Sequence, residues 1–223
     1  MPDRQDRANA GPKYTKPPPF GIMPRAMDED YRVQPRDLPV PHDDGAADHL
    51  PGRRVPATLL SSTLGGALDL GEVTRRSTVI YIYPGTGIPG VPLPEGWDDI
   101  PGARGCTPQS CAFRDHVLEL AAYGVSILGL SAQPLEEQRE FAQREQIPYP
   151  LLSDPELRLA ETLGLPTFAA DGRRFYRRLT FIASERRIAK VFYPIFPAHQ
   201  NASEVVSWLA AQPAQDADGA SRP

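Results

Sequence analysis

The segment Gly105-Cys106-Thr107-Pro108-Gln109-Ser110-Cys111-Ala112-Phe113-Arg114-Asp115 contains both cysteines of a 223-residue chain. Apolar residues then recur at Phe113, Val117, Leu120 and Ala121, the spacing of one helix face. Gly105 frees the backbone to turn, and Pro108 sacrifices only an N–H that a first helical turn leaves unused. The pattern predicts a helix with Cys106 in its first turn. Peptide N–H groups there lack partners inside the helix and the dipole is positive, which favours a thiolate; Arg104 adds positive charge. Cys111 follows after about 500° of rotation and roughly 7.5 Å of rise in an ideal helix. A disulfide needs Cα atoms within about 6.8 Å and converging Cβ vectors, so the two can join only if the first turn unwinds. A redox pair whose two states differ in shape has this property.

Outward from this segment, strands and helices alternate. Thr78 to Tyr83 is almost wholly β-branched or aromatic and suits a strand buried on both faces of a sheet. Upstream, Val55 to Leu60, a turn at Gly65-Gly66 and Ala67 to Leu70 form a hairpin pattern. Downstream come a buried strand at Val125–Leu130, a helix from Pro134 to Glu145, and a second helix from Pro155 to Leu163 ended by Gly164. Arg174 to Ala183 and Arg187 to Tyr193 read as two strands about a turn at Ser184–Arg186, and Ala202 to Ala211 as a last helix. This order predicts an α/β domain over 51–212, a central mixed sheet flanked by helices. Residues 1–50, rich in Pro, Asp and Arg, read as an extended or disordered arm, and the polar stretch 213–223 as a disordered tail. Phe20, Ile22, Met23 and Tyr31 are the arm residues suited to docking.

A net charge of −4 and the lack of long basic runs argue against a nucleic-acid surface. No apolar run is long enough to span a membrane and the N-terminus lacks an apolar signal core, so a cytoplasmic protein is expected. Two cysteines in a reducing compartment fit catalysis or redox sensing better than a permanent cross-link. His42, His49, His116 and His199 stand at no zinc spacing from them, and no phosphate loop or dinucleotide motif is present, so no metal or cofactor is expected.

The segment resembles the peroxiredoxins, most closely the bacterioferritin-comigratory or Q type, whose pattern Gly-Cys-Thr-x-x-x-Cys-x-Phe-Arg-Asp is matched by Gly105 to Asp115. The resemblance implies a thioredoxin-like fold, a peroxide substrate, Cys106 as the peroxidatic cysteine and Cys111 as the resolving one. It also implies a thioredoxin-like dithiol as reductant, and a monomer or homodimer. The family's late-strand arginine over the sulfur is matched at Arg178, in Arg178-Leu179-Thr180-Phe181-Ile182, with Arg177 on the opposite face. Its usual Pro-x-x-x-Thr-x-x-Cys is missing: Asp99 and Ala103 occupy those places. The strand and its proline stand instead at Thr78–Pro84, with Thr86 just beyond, so 85–104 reads as an insertion. Thr86 and Thr107 are both candidates for the hydroxyl that meets the peroxide. Trp97 in the insertion either pins the loop or caps the cysteine pocket. A non-catalytic redox sensor and a thiol-disulfide oxidoreductase are the competing readings, the latter disfavoured by the four-residue gap between the cysteines.

Overall fold

The computed structural model describes residues 31, 32 and 34–212. Phe20, Ile22, Met23 and the tail 213–223 lie outside them.

The strands are β1 (Leu59–Ser62), β2 (Ala67–Asp69), β3 (Thr78–Ile82), β4 (Ser126–Ser131), β5 (Leu151–Ser153), β6 (Thr167–Ala170), β7 (Arg173–Tyr176), β8 (Leu179–Ser184) and β9 (Arg187–Phe192). The helices are α1 (Leu70–Val73), α2 (Cys106–Asp115), α3 (Val117–Ala122), α4 (Leu135–Arg144), α5 (Arg158–Leu163) and α6 (Asn201–Ala210). Seven strands form one sheet in the order β2-β1-β5-β4-β3-β8-β9. The β3–β4 and β4–β5 pairs are parallel, while β8 runs antiparallel to β3, β9 antiparallel to β8, and β1 antiparallel to β5. This is the mixed α/β sheet the alternation of elements calls for.

Side-chain alternation along β3 divides the core and fixes where the site lies. Ile80 and Ile82 face a cluster built with Leu128, Leu130, Leu179 and Phe181. Val79, Tyr81 and Tyr83 face the other side, where α2 brings Cys106 and Phe113. The ring of Tyr81 stacks on Phe113 with centroids 4.6 Å apart. Gly129 on the neighbouring strand makes room for it: a Cβ there would stand 2.7 Å from the Tyr81 hydroxyl oxygen and 2.5 Å from Leu151 Cδ2. The Tyr149 hydroxyl donates to the Ser110 carbonyl at 2.9 Å and meets the Tyr81 hydroxyl at 3.2 Å, tying the middle of α2 to the sheet. In the Leu151–Pro155 run, Asp154 is fully buried, accepts the N–H groups of Arg158 and Leu159, and takes a 2.7 Å hydrogen bond from Tyr176. That aspartate starts α5.

Three strand assignments differ from the sequence reading. Arg174 to Ala183 is not one strand: β7 pairs with β6 in a separate two-stranded sheet, and β8 begins only at Leu179. The break falls at Arg177-Arg178. Arg177 N–H donates to Pro166 O, closing the small hairpin, and the Arg178 side chain is drawn into the loop before α2. Both β5 and β6 were missed because three or four residues flanked by proline carry too little alternation to be recognised.

Within the span read as an arm, residues 34–50 lie on the domain. Ala47 and Leu50 are buried in the same cluster as Ile80, and Asp44 pairs with Arg177 and Tyr193. The insertion 85–104 contains a short 3-10 turn at Trp97–Asp99. Its Trp97 is 4% exposed and packs edge-on against Phe175 (4.9 Å) and beside Phe168 (5.6 Å) of the small sheet.

Candidate active site

Cys106 is the first residue of α2, directly after Gly105 at φ +102°. Only glycine suits this junction: the conformation is left-handed, and a Cβ would stand 2.8 Å from that of Ala198. The first intrahelical bond is donated by Gln109 N–H to Gly105 O, so the N–H groups of Cys106 and Thr107 have no partner inside the helix. Cys106 is 3% exposed, and its S–H is within 3.5 Å of the Ala103 carbonyl.

Arg178 completes this corner. Its Nη2 lies 3.1 Å from Cys106 Sγ. The same guanidinium donates to the carbonyls of Gly102 (3.3 Å), Ala103 (3.3 Å) and Arg104 (3.0 Å), and to Gln109 Oε1. An arginine only 3% exposed would be costly unless its donors were occupied, and here the loop carbonyls and the sulfur occupy them. Gln109 is held in turn: its Nε2 donates to Asn201 Oδ1 at 2.9 Å, which also accepts the Thr180 hydroxyl at 2.7 Å. Sheet, α2 and α6 therefore fix the guanidinium over the sulfur. Arg177 lies apart, paired with Asp44.

A cavity of about 20 Å³ opens beside Cys106, lined by Thr107, Arg104, Leu93, Trp97 and, from the N-terminal segment, Tyr31. It is large enough for a water-sized molecule. Thr107 shares this space with the sulfur, but Thr86 does not. The Thr86 N–H and hydroxyl both reach Gln133 Oε1, at 2.7 and 3.1 Å, and the residue lines a neighbouring cavity of about 120 Å³. Trp97 stands in the wall of both cavities while packed on Phe175, so pinning the loop and walling the pocket are one arrangement. Arg104 lies over the Tyr31 ring, and its Nη2 donates to Asp98 at 3.1 Å.

Cys111 is half-buried five residues along the same helix, and both cysteines are free thiols. Its S–H contacts Glu145 Oε2 at 3.7 Å. Burial raises its pKa; Arg114 acts against this and Glu145 with it. Arg114 pairs with Asp115 at 2.9 Å and donates to the Glu145 carbonyl at 2.7 Å, which ties α2 to the end of α4.

Sequence reasoning missed Gln109, Asn201 and Glu145. Gln109 had a usable signal, since three residues after Cys106 places it on nearly the same helix face. Asn201 and Glu145 had none, because each meets the site only through tertiary packing.

Residues 50–209 match the Redoxin family model. The chain belongs to this family, as a bacterioferritin-comigratory/Q-type peroxiredoxin. A putative peroxiredoxin bcp of Coxiella burnetii is 28% identical over 164 residues, 71% of this chain and 97% of that protein. The chloroplastic peroxiredoxin Q of Suaeda salsa is 30% identical over 128 residues, 56% of this chain and 53% of that one. Among solved structures, peroxidoxin BcpB of Mycobacterium tuberculosis superposes with a TM-score of 0.60 at 26% identity, covering 74% of this chain and 98% of that one. The protein is thus a thiol peroxidase on a thioredoxin-like fold, acting on a peroxide with a thiol as reductant. No helix among the described residues is long and apolar enough to cross a membrane.

Proposed function

We propose that Cys106 is the sulfur that attacks the peroxide, with Arg178 as its electrostatic partner and Cys111 as the resolving thiol. The observation that carries this reading is the 3.1 Å contact between the Arg178 guanidinium and a buried sulfur at a helix start. The Cys106 thiolate attacks one peroxide oxygen. An S–O bond forms, the O–O bond breaks, and the departing oxygen leaves with the electron pair and takes up a proton. Arg178 and the free N–H groups at the start of α2 lie where they can oppose the charge that builds on that oxygen. Thr107, rather than Thr86, is the hydroxyl beside the pocket.

The resulting sulfenic acid is attacked by the Cys111 thiolate. An S–S bond forms, the S–O bond breaks, and the hydroxyl leaves as water. A rise of roughly 7.5 Å along an intact helix keeps the two apart, so residues 104–111 unwind for this step. A thioredoxin-like dithiol then reduces the disulfide in a reducing compartment such as the cytoplasm, and the chain works as a monomer or homodimer.

The test is a peptide map after one equivalent of hydrogen peroxide, run beside competition against a haem peroxidase. Rapid consumption and a loss of two hydrogens mapped to Cys106 and Cys111 are expected. Oxidation no faster than that of a free thiol would favour the non-catalytic sensor.

A further inference from the structure

Glu145 has no part in the steps above, yet it is the most enclosed carboxylate near either cysteine. It follows the last residue of α4, and its side chain is 1% exposed. Oε2 is shared between Arg32 Nε at 3.0 Å and Cys111 Sγ at 3.7 Å, while Oε1 accepts from Arg144 Nη1 at 2.8 Å. Its carbonyl accepts from Arg114. The charged and titratable groups facing Cys111 are Arg114 and Asp115 on its own helix and Glu145 from the end of α4, with Arg32 and Arg144 behind it. Tyr81 and Tyr149 face it from the sheet side.

A buried carboxylate that accepts an S–H restrains the thiol in two ways. It holds the side chain in one place on the helix, and its negative charge opposes loss of the proton. We propose that Glu145 is a positioning residue for the second half of the reaction, holding Cys111 as a thiol in an intact α2 and thereby setting how long the sulfenic acid on Cys106 persists. This rests on the assignment of Cys106 and Cys111 made above. Disulfide formation requires Cys111 to lose its proton before its sulfur attacks Cys106, and Glu145 acts against that loss. A sulfenic acid that waits longer is more exposed to a second peroxide, which adds an oxygen to give the sulfinic acid while being reduced to alcohol or water.

The experiment follows the full chain by stopped flow after mixing with hydrogen peroxide at several pH values, for the parent, Glu145→Gln and Glu145→Asp. Cys106 oxidation and disulfide formation are read separately. In Glu145→Gln the first step should stay within about twofold, disulfide formation near neutral pH should quicken about tenfold, and its pH midpoint should move down by about one unit. The fraction of sulfinic acid in excess peroxide should fall. Glu145→Asp, which keeps the charge, should retain a midpoint nearer the parent's. An unchanged or slower second step overturns the proposal, as does equal acceleration at every pH with an unmoved midpoint, which marks a merely loosened helix. Absence of a fast Cys106 step in the parent overturns the proposed function itself, so the two failures are distinguishable.

Discussion

Cys106 and Cys111 lie on one helix five residues apart, yet the charged groups that touch their sulfurs are of opposite sign. The first sulfur has a guanidinium at 3.1 Å and the unpaired start of a helix beneath it. The second has a carboxylate at 3.7 Å and the neutral middle of the helix. The same chemical group is thus presented as a partner for positive charge in one place and as a hydrogen-bond donor to negative charge in the other. A redox pair needs this asymmetry if one sulfur is to meet the oxidant first and the other is to wait.

The harshest way to break the comparison is to remove the first sulfur. Cys106→Ala should lower the rate constant for peroxide consumption by at least about 10³-fold, to that of an ordinary thiol, in competition against a haem peroxidase. Removing the positive partner is next. Arg178→Met should cost about 10²-fold in the same rate constant, the effect of losing one preorganised donor at a developing charge. Cys111→Ser should leave the first oxidation within about twofold but abolish the intrachain disulfide, seen as a persistent sulfenic acid by mass spectrometry.

A smaller effect concerns the shared scaffold. Burial raises the pKa values of Cys111, Tyr81, Tyr83 and Tyr149, with the Tyr81–Tyr149 pair adding to the shift at Tyr149. An acid whose folded pKa lies above its unfolded one favours folding fully below the unfolded value, and that contribution is lost as pH rises beyond it. Thermal stability should therefore decline from the ordinary thiol value, about 8.5, and more steeply beyond about 10 where unfolded tyrosines ionise. Scans between neutrality and that range check this, and Cys111→Ser should remove the earlier part of the decline. Trp97→Ala, which empties the contact with Phe168 and Phe175, should cost about 3 kcal/mol in denaturant unfolding.

Much of the first half of this asymmetry was legible in the sequence. Gly105, Cys106 and Pro108 announce a helix start whose first N–H groups have no partner inside the helix, and β3 declares itself by its run of β-branched and aromatic residues. Arg178 was legible by resemblance. Its geometry was not, because it leaves the strand to serve loop carbonyls contributed by residues about seventy-five positions away. The second half was hidden for the same reason. Glu145 reads as one more charge at the end of a charged helix, and nothing local says that its carboxylate turns inward to Cys111 rather than outward to water. Short pieces fared worst: β5 and β6 exist because the sheet and the β7 hairpin pair with them, not because their own residues insist on it.

The chain has two tryptophans, and they occupy very different ground. Trp208 sits partly buried on the last helix, whereas Trp97 is enclosed in the wall beside Cys106. Unwinding the segment that begins α2 removes part of the wall that Trp97 shares with Cys106 and Thr107, while Trp208 packs on the cluster that also holds Phe113. Emission from Trp97 should therefore report the oxidation state of the site without any added label, and a Trp208→Phe variant isolates its signal.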